Sequence, residues 1–151
     1  MKRIHYAALT ALALSCIATL LTATARAQDM LVGEYYTNKV WRVSPDGTKT
    51  VFAQPSVPSG IRFFGSAFDS AGNLYAARFQ GANNPNDPNN GVIKISPTGV
   101  VSNFRSGLEP SDIAFDLSGN LYVSSYTSGQ INRFAPNGTS LGVFATLTSD
   151  A

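Results

Sequence analysis

Short alternating bursts of apolar and polar residues run through the chain, each closed by glycine, proline, asparagine or aspartate. Val40-Trp41-Arg42-Val43, Val92-Ile93-Lys94-Ile95 and Ile131-Asn132-Arg133-Phe134 place apolar side chains first and fourth and a cation third. Each burst runs into a Pro-x-Gly triplet: Pro45-Asp46-Gly47, Pro97-Thr98-Gly99 and Pro136-Asn137-Gly138. Proline presets φ, aspartate or asparagine tolerates the next position, and glycine takes the positive φ that folds the following strand back. A period near two between such turns predicts antiparallel strands, and no segment beyond the N-terminal residues carries a helical period.

The pattern is also reused at long range. Asp69-Ser70-Ala71-Gly72-Asn73-Leu74-Tyr75 returns forty-seven positions later as Asp116-Leu117-Ser118-Gly119-Asn120-Leu121-Tyr122. Upstream lie the apolar pairs Ala67-Phe68 and Ala114-Phe115, and after each Pro-x-Gly comes Phe52, Phe104 or Phe144 as an apolar anchor. Leu31-Val32, Leu74-Tyr75 and Leu121-Tyr122 open the strand between. The unit is thus four strands, A to D, repeated with a period characteristic of β-propeller blades. The expected fold is all-β: four-stranded antiparallel blades in an incomplete ring, with strands B–D of blade 1 over about 31–53, blade 2 over about 66–105 and blade 3 over about 112–146. Closed propellers hold four to eight blades, whereas this count gives two and three-quarters, and an open stack leaves edges that invite association with another chain.

Two irregular stretches interrupt the repeat. Residues 80–91, rich in Asn, Pro and Gly, predict a solvent-exposed loop between strands B and C of blade 2. Residues 55–64 predict a bulge at the junction of blades 1 and 2.

Residues 1–27 read as a signal peptide: Lys2 and Arg3, an apolar stretch from Tyr6 to Leu21, then Ala25-Arg26-Ala27 as a cleavage site. A membrane span needs ~20 apolar residues, which this Thr-punctuated run does not reach. Cys16, preceded by Ser15, has the look of a lipoprotein site, but the apolar run continues past it. Cleavage after Ala27 leaves 124 residues, removes Lys2, Arg3 and Arg26, and turns the formal charge of +2 into −1. No basic footprint for nucleic acid remains. The cut also removes His5 and Cys16, the only histidine and cysteine. A secreted or periplasmic product without them has no Ser-His-Asp triad, no histidine-ligated zinc and no disulfide, so no catalytic residue is assigned.

Residues 67–79 and 91–104, with their echo over 112–144, resemble NHL-type repeats and the related regucalcin/gluconolactonase and streptogramin-lyase propellers. The resemblance covers nearly all of residues 31–146 and rests on turns and core positions. NHL blades often end strand B in Asp; here the matching positions are Tyr35, Arg78 and Ser125. Among gluconolactonase-like enzymes the resemblance implies a divalent cation, commonly calcium, over the central channel. Hard cations want several oxygen ligands, and the candidate loops offer Glu34, Glu109 and Asp112, with Asn38 beside them. The streptogramin-lyase resemblance implies a catalytic histidine and magnesium, and no histidine survives processing. Glu109 and Asp112 form a conceivable acid–base pair.

Asp69 and Asp116 lack the alternating oxygen ligands of a calcium loop and read as hairpin-turn caps. Arg42, Lys94 and Arg133 read as an outer solvent face. Tyr35, Tyr36, Arg78 and Tyr126, at strand B ends, form a candidate rim for a protein or carbohydrate ligand. The expectation is therefore an exported, non-enzymatic binding or scaffold module, a fragment of a larger propeller. The alternatives are one part of a metal-dependent sugar-lactone hydrolase, or a truncated product with no role of its own.

Overall fold

The computed structural model describes residues 29–35, 37–56, 62–80 and 87–147. The expected signal peptide and Tyr36 lie outside them. Eleven strands pair antiparallel into three sheets. The first holds β1 (Met30–Gly33), β2 (Val40–Val43) and β3 (Lys49–Ala53). The second holds β4 (Arg62–Phe68), β5 (Leu74–Phe79), β6 (Gly91–Ile95) and β7 (Val101–Ser106). The third holds β8 (Pro110–Phe115), β9 (Leu121–Ser125), β10 (Gln130–Phe134) and β11 (Ser140–Thr146). Strand neighbours follow chain order in every sheet, and no helix occurs among the described residues. These are the B–D, A–D and A–D strands of a partial propeller, blades 1 to 3.

Turn chemistry fixes the hairpins. Asp69 Oδ1 accepts the backbone N–H groups of Ala71 (3.0 Å) and Asn73 (2.9 Å), while Oδ2 accepts the Asn73 amide at 2.8 Å. Asp116 repeats this with Ser118 and Asn120. These aspartates cap A–B turns, as their spacing implies.

Blade 2 has two covered faces, and the period of its strands divides its side chains between them. On the face towards blade 1, Leu74, Ala76, Ile93 and Ile95 pack with Val40 and Ala53. On the face towards blade 3, Tyr75, Ala77 and Val92 pack with Ile113, Leu121 and Phe134. We term the side of a blade towards its predecessor the leading face and the side towards its successor the trailing face. All six residues of β5 are buried, because both faces are covered.

Strand register corrects one alignment. Leu74 stands opposite Ile95, Leu121 opposite Phe134 and Met30 opposite Val43. Met30, not Leu31, is therefore the counterpart of Leu74 and Leu121. A one-residue slip moves every side chain to the other face, so Tyr35 corresponds to Phe79 and Tyr126, whereas Glu34 corresponds to Arg78 and Ser125.

The recurring cations keep part of their side chains in solvent, 42% for Arg42 and 37% for Lys94, and each also lies over a ring. Arg42 sits over the Phe52 ring (4.7 Å), Lys94 over Tyr75 (5.4 Å) and Arg133 over Phe144 (6.0 Å). Each cation thus covers an aromatic on its own blade's trailing face, since positive charge over a ring is attracted by the ring quadrupole. Of the 80–91 loop, residues 81–86 lie outside the described residues; Pro88 is exposed, and the loop turns inward at its end. Asn90 is fully buried; its side-chain oxygen accepts the Gln80 N–H at 2.9 Å and its carbonyl the Gly107 N–H at 3.0 Å.

Candidate functional site

At the end of the molecule that carries the B–C loops, β4 is bulged: Phe63 pairs with Arg78 and Ser66 with Ala76, leaving Phe64 and Gly65 without a regular place in the ladder. Bulges re-aim side chains. Phe64 meets the three aromatics that follow or end the B strands: Tyr35 at 5.7 Å, Phe79 at 6.3 Å and Tyr126 at 6.2 Å between ring centroids. Phe79 and Tyr126 also meet, with ring centroids 5.5 Å apart and planes tilted by 50°. Gly65 makes the close approach possible, since a Cβ there would lie 2.7 Å from Asp112 Cα on β8.

Phe79 is fully buried, but Tyr35 and Tyr126 keep 41% and 55% of their surface exposed. The cluster is thus a platform with a dry base and two open tyrosines. Their turns match: Asn38 (φ 56°) in blade 1 and Gly129 (φ 64°) in blade 3 both adopt the left-handed conformation, which asparagine and glycine tolerate best. The Glu109 carbonyl accepts the Tyr126 N–H at 2.7 Å, and its carboxylate accepts the Thr127 hydroxyl, which anchors the second loop. The Arg62 guanidinium lies 5.4 Å from the Tyr35 ring centre.

The structure brings Tyr35 and Tyr126 together and sets Arg78 apart. Arg78 is only 8% exposed, because β5 is covered from both sides, so its guanidinium is not presented at the rim. Burial pulls its pKa down, and the Asp87 charge opposes that shift. Phe64 and Phe79 are members of the cluster that sequence reading did not single out; correct strand register would have revealed Phe79, and Phe64 depends on the bulge.

Glu34, Glu109 and Asp112 do not form a cation cage. Glu34 accepts the Thr37 hydroxyl and the Trp41 indole N–H (2.9 Å), and these bonds hold its carboxyl below the usual range. Asp112 Oδ1 accepts the Ile113 N–H at 2.9 Å. Among the described residues, no three His, Cys, Asp or Glu side chains gather as a metal site would require. The donors present therefore do not fit the calcium that the resemblance implies.

A family described as a beta-propeller repeat matches residues 104–132, from β7 into β10. No curated protein matches the chain. Solved structures do. A structure provisionally assigned as a gluconolactonase is 19% identical with a TM-score of 0.65, over 79% of this chain and 47% of its own. A catalytically inactive virginiamycin B lyase from Staphylococcus aureus, determined with quinupristin, is 17% identical with a TM-score of 0.56, over 83% and 43%. A gluconolactonase from Xanthomonas campestris is 21% identical with a TM-score of 0.53, over 74% and 35%. The chain spans less than half the length of each. Fold and repeat together define a β-propeller fold.

Proposed function

We propose that the protein is an exported β-propeller module that binds a carbohydrate on its aromatic platform and does not turn it over. The observation that carries this reading is the convergence of Tyr35 and Tyr126, from equivalent positions of blades 1 and 3, onto Phe64 with their outer surfaces open. Aromatic rings offer a rigid apolar face beside a polar hydroxyl, at low entropic cost, which suits the alternating C–H and O–H surfaces of a sugar. Arg62, Thr127 and Glu109 supply polar neighbours at the rim. The dispersed carboxylates argue against hydrolysis at this end.

The test is a glycan panel read by binding and by thermal shift on the purified protein, with Tyr126→Ala as the site variant. Leu117→Ala, an exposed substitution in an A–B turn at the opposite end, is the control. Tyr126→Ala should weaken binding roughly tenfold, the usual effect of truncating an aromatic anchor, and leave the fold intact. Binding that ignores Tyr126, recognition confined to proteins, or calcium-dependent lactone hydrolysis overturns the reading.

A further inference from the structure

The first joint, between blades 1 and 2, and the second, between blades 2 and 3, are built from the same four positions: one each on strands B, C and D of the earlier blade and one on strand A of the later. In the second joint these are Tyr75, Lys94, Phe104 and Phe115. The Tyr75 ring, 3% exposed, lies edge-to-face with Phe104 at 5.1 Å and with Phe115 at 4.9 Å, and the Lys94 ammonium stands 5.4 Å from its centre. In the first joint the counterparts are Leu31, Arg42, Phe52 and Phe68. Leu31 pairs with Arg42 as Tyr75 pairs with Lys94, and Phe68 pairs with Leu74 as Phe115 pairs with Leu121. Phe52 and Phe104 each lie where strand D bulges against strand C. Both phenylalanines and the cation are thus kept, and only the ring between them is exchanged for a smaller side chain.

Around Leu31 runs a groove of about 400 Å³, within the span of roughly 300–1,000 Å³ typical of small-molecule sites. Its floor includes Leu74 and Ile95, 4% and 0% exposed, and Phe52 and Phe68 line it beside them. Its polar edge also repeats. Arg42 Nε lies 3.7 Å from Asp29 Oδ2, as Lys94 Nζ lies 3.8 Å from Asp69 Oδ2. In blade 3 the tyrosine at the same strand B position, Tyr122, donates its hydroxyl to Asp116 Oδ2 at 3.2 Å. A phenol at this position therefore has a carboxylate to bond in blade 3, and Asp29 is the carboxylate that lines the groove.

We infer that the groove between blades 1 and 2 is a binding site for a small monocyclic phenol, whose ring takes the place that Tyr75 holds in the second joint and whose hydroxyl faces Asp29 and Arg42. The phenylalanine rings and the Arg42 charge favour an aromatic ring over a saturated one, because both act on the ring quadrupole. The hydroxyl satisfies the polar edge without bringing a charge into an apolar groove, which a carboxylate or ammonium ligand would do at high desolvation cost. The groove lies among the A–B and C–D turns, with Gly72 and Pro97 at its border, at the end opposite the aromatic platform. The inference is thus independent of the carbohydrate reading.

Para-cresol, the tyrosine side chain as a free molecule, tests it by titration into the purified full chain followed by NMR. The probe should show nuclear Overhauser contacts to the Leu74 and Ile95 methyl groups. Methylcyclohexanol, its saturated analogue, should bind about tenfold more weakly, the scale of two aromatic contacts and one cation over a ring. Leu31→Tyr places the ring in the groove covalently and should abolish binding, whereas Tyr126→Ala, at the other end, should leave it unchanged. Equal binding of the two probes overturns the inference, as does binding that a folded Leu31→Tyr retains. Contacts confined to Tyr35 and Tyr126, or a full chain that shows none at Leu74 and Ile95, overturn it without recourse to any variant.

Discussion

The smallest device that holds the blades is one carboxylate in each A–B turn. At Asp116 the bond from the Asn120 side chain, then those from the backbone N–H groups and the Tyr122 hydroxyl, hold the carboxyl below the ordinary value of 3.8. At Asp69 burial pushes the other way, but the bonds from Asn73 and Ala71 and the charge of Lys94 outweigh it. A carboxylate depressed by folding adds stability that is complete above the unfolded pKa and is lost as pH falls through the folded one. The melting temperature should therefore hold steady from pH 7 to about 5 and drop below about pH 4. Asp116→Asn should melt lower at neutral pH and show a shallower acid limb; an unaltered limb would refute the role. These turns were legible in the sequence because every bond in them spans four residues or fewer, apart from the Tyr122 contact. The match of Tyr35 with Tyr126 was not. Blade 1 has no described A–B turn to anchor its alignment, and only the pairing of Met30 with Val43 reveals the slip of one position.

Among elements, the two joints differ in how well they are filled. Tyr75 fills the second, lying between Phe104 and Phe115 at 5.1 and 4.9 Å. Leu31 holds the same position in the first, between Phe52 and Phe68, and the smaller side chain leaves a groove of about 400 Å³ lined also by Arg42 and Pro97. The unfilled joint explains why Phe68, the counterpart of Phe115, remains 53% exposed. Packing of this kind cannot be read from one strand, because it depends on three strands of two blades. Cavity filling commonly adds about 0.5–2 kcal/mol. Leu31→Tyr should raise stability by about 1 kcal/mol in denaturant melts, since the ring gains partners on both sides. A destabilised Leu31→Tyr would mean that the groove is too rigid or too polar to accept it.

For the molecule as a whole, protection from solvent is graded from the middle blade outwards. Every residue of β5 and four of the five in β6 are buried, whereas β1 and β11 are largely exposed. The repeat made the order of blades readable, but it carried no sign of this gradient, because the three units share turns and core positions and differ in what covers them. In a stack where each unit contacts only its neighbours, stability is close to a sum of unit and interface contributions, and outer units open at lower free energy than the centre. Amide hydrogen exchange on dilute protein should thus be slowest in β5 and β6 and fastest in β1 and β11. A uniform rate through all eleven strands would mean that the blades do not open independently, and that the interface between them contributes far more than the sheets themselves.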